Sequence, residues 1–105
     1  MSQEPLQKPF SGLRVIDLAW VGVGPTASKY LADHGAEVIR VESATRPETL
    51  RRAGPFANGQ DINNSGYYAN FNSSKYGISI NLKHPKGPQI LKRLIAVSDV
   101  VTESF

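Results

Sequence analysis

One stretch constrains the fold of this chain more than any other: "WVGVGPTASKYLADHGAEVIRVE", residues 20–42. Before it, "GLRVIDLA" (12–19) is short, apolar and rich in β-branched residues, the pattern of a strand. Inside it, Gly22, Gly24 and Ala27 fit G-x-G-x-x-G/A, and Pro25 stands in the first turn of a helix, where its missing N–H is tolerated. Ala27, Tyr30, Leu31 and His34 follow at helical spacing, and Gly35 suits the left-handed conformation that ends a helix. "AEVIRVE" (36–42) then reads as a second strand. Strand, glycine turn, helix and strand within about thirty residues make one βαβ unit, for which parallel strands and a right-handed crossover are predicted.

A glycine turn of this kind has two uses. It permits a tight strand-to-helix connection and nothing more, or it lets the backbone approach a pyrophosphate at the helix N-terminus, where free N–H groups and the helix dipole favour anions. With Glu42 twenty residues beyond Gly22, the layout is that of a dinucleotide-binding fingerprint. Two details count against NAD. Pro25 removes an N–H at the helix start, and the strand holds Asp17 and ends in Trp20 instead of running small and apolar into the glycines. Glu42 reads either as a ribose ligand or as a solvated strand end. Gly24 is a candidate for positive φ.

Residues 43–66 show no sustained periodicity and carry Pro47, Gly54, Pro55, Gly59 and the arginines Arg46, Arg51 and Arg52. Loops longer than about 12–15 residues are uncommon in compact domains and are usually functional or disordered. This one reads as a ligand-contacting loop, with a helical turn in "PETLRRA". "YGISINL" (76–82) alternates, with Ile78, Ile80 and Leu82 on the predicted buried face. Pro85 or Pro88 opens a second helix with the stripe Ile90, Leu91, Leu94 and Ile95, and Ser98-Asp99 turns into a last strand, "VVTESF". The predicted fold is α/β: a Rossmann-like open, mainly parallel sheet of at least four strands with flanking helices. Two helices for four strands leave the sheet incompletely covered, so residues 1–105 are expected to be the front part of a larger domain.

Composition narrows the function classes. A chain of 105 residues has room for one small domain. It has no cysteine, which excludes disulfides and thiolate metal sites. His34 and His84 lie fifty residues apart without a ligand cluster, so no metal is expected. The net charge of +3 is mild and its cations are dispersed, which argues against nucleic acid and leaves a solvated surface or a small phosphorylated anion. No apolar run approaches the ~20 residues of a membrane span, and "MSQEPLQKPF" lacks the apolar segment of a secretory signal. A cytoplasmic location away from membranes is the expectation.

Two longer segments carry a family resemblance. "PLQKPFSGLRVIDLAWVGVGPTASKYLADHGAEVIRVES" resembles the opening of the class III CoA-transferases, the family of carnitine and formyl-CoA transferases and the α-methylacyl-CoA racemases. Gly12 to Leu18, Gly24-Pro25 and Leu31 to Glu42 match its pattern, and "NFNSSKYGISINLKHPKGPQILKRLIAVSDVVTESF" matches a second in order and spacing. The resemblance covers nearly the whole chain.

It implies that the ligand is coenzyme A, a 3′-phosphorylated adenosine diphosphate. Val21, Gly22 and Val23 then lie along the coenzyme, Ile80 is an adenine contact or an ordinary core residue, and Ser104 and Phe105 stand where the family has Asn-Phe. Some members place an Arg near the phosphates just after Glu42. Here that residue is Ser43, and Arg46, Arg51 or Arg52 would substitute. The resemblance further implies an acyl-CoA and an organic acid as substrates, an aspartate nucleophile lying beyond Phe105, and an interlocked homodimer. None of Asp17, Asp33, Asp61 and Asp99 matches the nucleophile's motif, so no catalytic residue is assigned. The alternatives are an acyl-CoA racemase of the same family, which uses a His/Asp pair, and a nucleotide-binding module without chemistry.

Overall fold

The fold was obtained as a computed structural model, which describes residues 7–104. Four strands form a parallel sheet in the order β3-β2-β1-β4: β1 Arg14–Asp17, β2 Glu37–Glu42, β3 Tyr76–Ser79 and β4 Val100–Thr102. Three helices connect them, α1 Val23–Asp33, α2 Gly66–Phe71 and α3 Gly87–Ala96, with a 3-10 turn over Thr49–Arg52. The open parallel α/β sheet expected from the sequence is what forms.

Side chains alternate across β1, and the core divides accordingly. Val15 packs with Val38, Ala32 and Ala36 under α1, whereas Ile16 packs with Val41, Ile80 and Leu91 under α3. Burying this apolar surface on both faces is the main stabilising term, worth roughly 25 cal/mol per Å². Gly35 has φ +111°, and the N–H of Ala36 returns to the carbonyl of Leu31, so α1 ends in the left-handed turn its glycine predicts. Pro88 stands in the first turn of α3, where no helical hydrogen bond is lost.

Two expectations change. In 76–82 only Ile80 is buried, whereas Ile78 and Leu82 are 39% and 44% exposed, because β3 is an edge strand that α3 does not fully cover. The long segment after β2 is also more ordered than its composition suggests. Buried Ser65 accepts a hydrogen bond from the Tyr68 amide and donates to the Leu50 carbonyl, capping a six-residue α2 that hydrophobic periodicity did not reveal.

Candidate functional site

Where the strand order reverses, the loops after the two diverging strands splay apart and leave a crevice outside their carboxyl ends. Here that reversal lies between β1 and β4. The turn 18–22 leaves β1 at this crevice. Ser104, just past β4, closes the other side, its Oγ lying 3.0 Å from both the amide and the carbonyl oxygen of Trp20. Thus Val21, Gly22, Val23 and Ser104, four of the expected coenzyme contacts, come together at the reversal. Phe105 lies outside the described residues.

The two glycines have different jobs. A Cβ on Gly22 would meet nothing within 4 Å, which leaves its backbone open to approach. A Cβ on Gly24 would lie 2.4 Å from Ala19 Cβ and 2.7 Å from Ser104 Oγ, so this glycine lets the start of α1 pack against the segments just past β1 and β4. Gly24 does not have the positive φ considered for it. Val21 does, at +70°. For a β-branched residue this backbone is a genuine outlier.

Beside the turn, on the α3 face, a cleft of about 310 Å³ has an apolar floor of Leu18, Val41 and Ile80. Trp20, Arg46 and Lys83 stand on its rim. The Arg46 guanidinium lies 5.0 Å from the Trp20 ring centroid, a cation–π contact that leaves its charge at the cleft mouth. Ile80 is therefore both core and cleft floor. Two rim cations over an apolar floor suit an aromatic base carrying phosphates. Trp20 reads in the sequence only as an unusual strand end, and Lys83 is not read there as a site residue. Neither position has a local sequence signal, because the cleft is assembled from three strands.

Arg51 and Arg52 go elsewhere. Arg51 Nε donates to Glu42 Oε2 at 2.7 Å and Nη2 to Oε1 at 2.8 Å, while its guanidinium stacks 3.8 Å from the Tyr68 ring centroid. This pair borders a second cavity, of about 340 Å³, on the α1 side of the sheet. Glu42 also accepts hydrogen bonds from the Glu48 amide at 2.5 Å and the Tyr68 hydroxyl at 3.2 Å. Burial pushes its carboxyl pKa up, but Arg51 and the Glu48 amide more than offset this and hold it below the ordinary value. Glu42 also borders the cleft, but its carboxylate is committed to Arg51, Tyr68 and the Glu48 amide as an internal latch. Arg52 is exposed and makes no ion pair among the described residues.

Beneath the turn lies a buried polar cluster. Asp17 sits between Arg40 of β2 and Thr102 of β4 in the sheet register. Its side chain is fully buried and accepts from Lys75 Nζ at 2.8 Å, Ser28 Oγ at 2.8 Å, Thr102 Oγ1 at 3.0 Å and the Ala19 amide at 3.0 Å. Arg40 lies 3.5 Å away and also donates to the Ala19 carbonyl. Burial raises the Asp17 pKa, and Lys75 and Arg40 outweigh it, so the group stays below its ordinary value and charged.

The other aspartates are more exposed but also have partners. Asp33 pairs with Lys29, Asp61 accepts the Asn63 amide, and Asp99 accepts the Arg14 amide across the β1–β4 edge. None is presented in the crevice as a nucleophile. Among the described residues no group of three or more His, Asp or Glu side chains is placed to hold a metal, and no helix is long and apolar enough to cross a membrane.

The sequence profile of CoA-transferase family III matches residues 10–105. The chain is 42% identical over 98 residues to succinyl-CoA:glutarate CoA-transferase of Homo sapiens, covering 93% of this chain and 22% of that protein. It is 41% identical to succinate–glutarate CoA-transferase of Agrobacterium fabrum, covering 100% of this chain and 27% of the relative, and 38% identical to formyl-CoA:oxalate CoA-transferase of Afipia carboxidovorans, covering 95% and 23%. The chain therefore spans about a quarter of the length of the curated relatives it matches. Among solved structures, a CAIB/BAIF family protein of Brucella suis superposes with a TM-score of 0.84 at 33% identity, over 95% of this chain and 26% of that one. Motifs, sheet order and relatives agree, and the chain belongs to CoA-transferase family III.

Proposed function

We propose that the protein carrying this chain moves CoA from an acyl-CoA to the carboxylate of a small organic acid, and that this segment binds the coenzyme. The cleft beside the glycine turn is the observation that carries the reading. Its apolar floor of Leu18, Val41 and Ile80 takes the adenine, and Arg46 and Lys83 meet the phosphates. Val21, Gly22 and Val23 then lie along the rest of the coenzyme. The relatives named for glutarate and oxalate support a short dicarboxylate as the acceptor.

The chemistry is covalent catalysis by a carboxylate. An aspartate attacks the thioester and releases CoA thiolate, leaving an acyl-aspartyl anhydride. The thiolate attacks the aspartyl carbonyl, which expels the donor carboxylate and leaves an enzyme thioester, and the acceptor carboxylate takes CoA by the reverse two steps. That aspartate is expected beyond Phe105. The described aspartates are structurally engaged, and this chain contributes binding alone. A homodimer and a cytoplasmic location go with the reading.

Titration calorimetry of the full-length protein with CoA and NAD tests it. CoA is expected to bind at least about tenfold more tightly, about 1.4 kcal/mol. NAD binding of equal or greater strength overturns the reading, since Glu42, the residue a dinucleotide fingerprint reserves for the ribose, is held by Arg51. Transfer from succinyl-CoA to a panel of dicarboxylates tests the reaction. Exchange of the α-proton without an acceptor points instead to the racemase branch.

A further inference from the structure

Val21 is the strained residue of the turn, and a buried carboxylate holds it. Its φ of +70° is a conformation that a β-branched residue adopts only when its surroundings impose it. The Val21 amide donates to Glu48 Oε1 at 2.6 Å, and the second oxygen, Oε2, accepts the Leu50 amide at 2.9 Å. The Glu48 side chain is fully buried. Its own amide donates to Glu42, which Arg51 grips. The long segment after β2 thus reaches back 27 residues to fix the turn after β1.

We infer that Glu48 is a positioning residue for the coenzyme: its carboxylate holds Val21 in the left-handed conformation and so sets the shape of the turn on which the ligand lies. This rests on the proposed CoA reading. The residue type follows from the geometry, because two N–H groups converge on one side chain and only a carboxylate offers each an oxygen. A glutamine places an NH₂ group against one of the two donors. Val21 itself is 49% exposed, so the strained residue is open to solvent on the turn.

The test uses the full-length protein and its Glu48→Ala, Glu48→Gln, Val21→Gly and Glu48→Ala/Val21→Gly variants. Each is titrated with CoA, melted, and followed by hydrogen exchange at residue 21. Loss of a charge-assisted hydrogen bond predicts about tenfold weaker CoA binding in Glu48→Ala and a smaller loss in Glu48→Gln. Glycine adopts positive φ without cost, so the double variant is expected to recover CoA affinity to within about threefold of wild type. Its melting temperature stays low, because the Leu50 amide still lacks its acceptor. A purely structural role would not restore affinity without restoring stability.

Wild-type affinity in Glu48→Ala, or a double variant as weak as Glu48→Ala, overturns the inference. If Glu48→Ala does not fold, Glu48→Gln decides it by the same comparison with and without Val21→Gly. Wild-type protein that does not bind CoA overturns the proposed function and its coenzyme clause. Unchanged exchange at the Val21 amide in Glu48→Ala separately overturns the hold on the turn.

Discussion

Arg51 clasps Glu42 through two nearly parallel hydrogen bonds, Nε to Oε2 at 2.7 Å and Nη2 to Oε1 at 2.8 Å. This fork matches the planar geometry of guanidinium and carboxylate and fixes both side chains. Of the adjacent pair Arg51 and Arg52, one is therefore committed to holding the long segment onto β2. The other, Arg52, is exposed and makes no ion pair among the described residues.

Arg51→Ala is accordingly expected to destabilise the protein by about 2 kcal/mol, since it strips a partly buried carboxylate of its cation. Arg52→Ala leaves the melting temperature within about 0.5 kcal/mol equivalents of wild type, as an exposed substitution does. If Arg52 meets the 3′-phosphate, its loss weakens CoA more than dephospho-CoA. Equal losses assign it to the pyrophosphate, and no loss leaves the phosphates to Arg46 and Lys83. Chemical denaturation and paired titrations measure both.

Gly22 and Gly24 are expected to separate in the same way. Gly24→Ala forces a Cβ to 2.4 Å from Ala19 Cβ, so α1 must shift, at a cost of about 1–3 kcal/mol. Gly22→Ala has open space at φ −104° and keeps the fold. Gly22→Val is expected to weaken CoA binding while leaving the melting temperature close to wild type. Equal thermal losses for Gly22→Ala and Gly24→Ala would contradict the packing role of Gly24.

The contrast shows what the sequence reveals and what it conceals. The βαβ unit was legible because its signals are local: a β-branched strand, a proline near a helix start, and Gly35 at its end. Asp17 was legible as an anomaly, a charge inside a strand, but its partners were not. Lys75 comes from 58 residues away, and the pairing exists only once β2 and β4 flank β1. The α2 helix was missed because its stabilising element is one serine contacting a distant turn, with none of its residues buried. Glu48 gave no signal of its reach to the turn, since Leu50 is a local partner but Val21, 27 residues away, meets it only in the tertiary fold.

Asp17→Asn is expected to cost about 3–5 kcal/mol, the usual penalty for removing one partner of a buried ionic group. Lys75 and Arg40 would then face each other at 2% side-chain exposure without their shared anion. Lys75→Met, which removes one cation while Arg40 remains, is expected to cost less. Urea unfolding of the three proteins ranks them. A wild-type midpoint for Asp17→Asn would mean that the cluster contributes nothing to stability.

Acid stability should expose the same carboxylates. Glu42 and Asp17 are both held below their ordinary values of 4.5 and 3.8, because Arg51 and the Glu48 amide outweigh burial at the first and Lys75 and Arg40 outweigh it at the second. The unfolded chain therefore binds protons at a higher pH than the folded one, and stability rises with pH across that window. Their contribution is fully present above pH 4.5 and is lost as pH falls through 4.5, for Glu42, and then through 3.8, for Asp17, toward their lower folded values. Melting temperature should be nearly flat from neutral pH to about pH 5 and fall below it. Arg51→Met reverses the sign for Glu42. Without its main cation, burial raises the carboxyl pKa, and the variant should regain part of its deficit as Glu42 protonates. The difference in unfolding free energy between wild type and Arg51→Met should therefore narrow on acidification. A constant difference across the acid range would show that Arg51 does not hold Glu42 ionised.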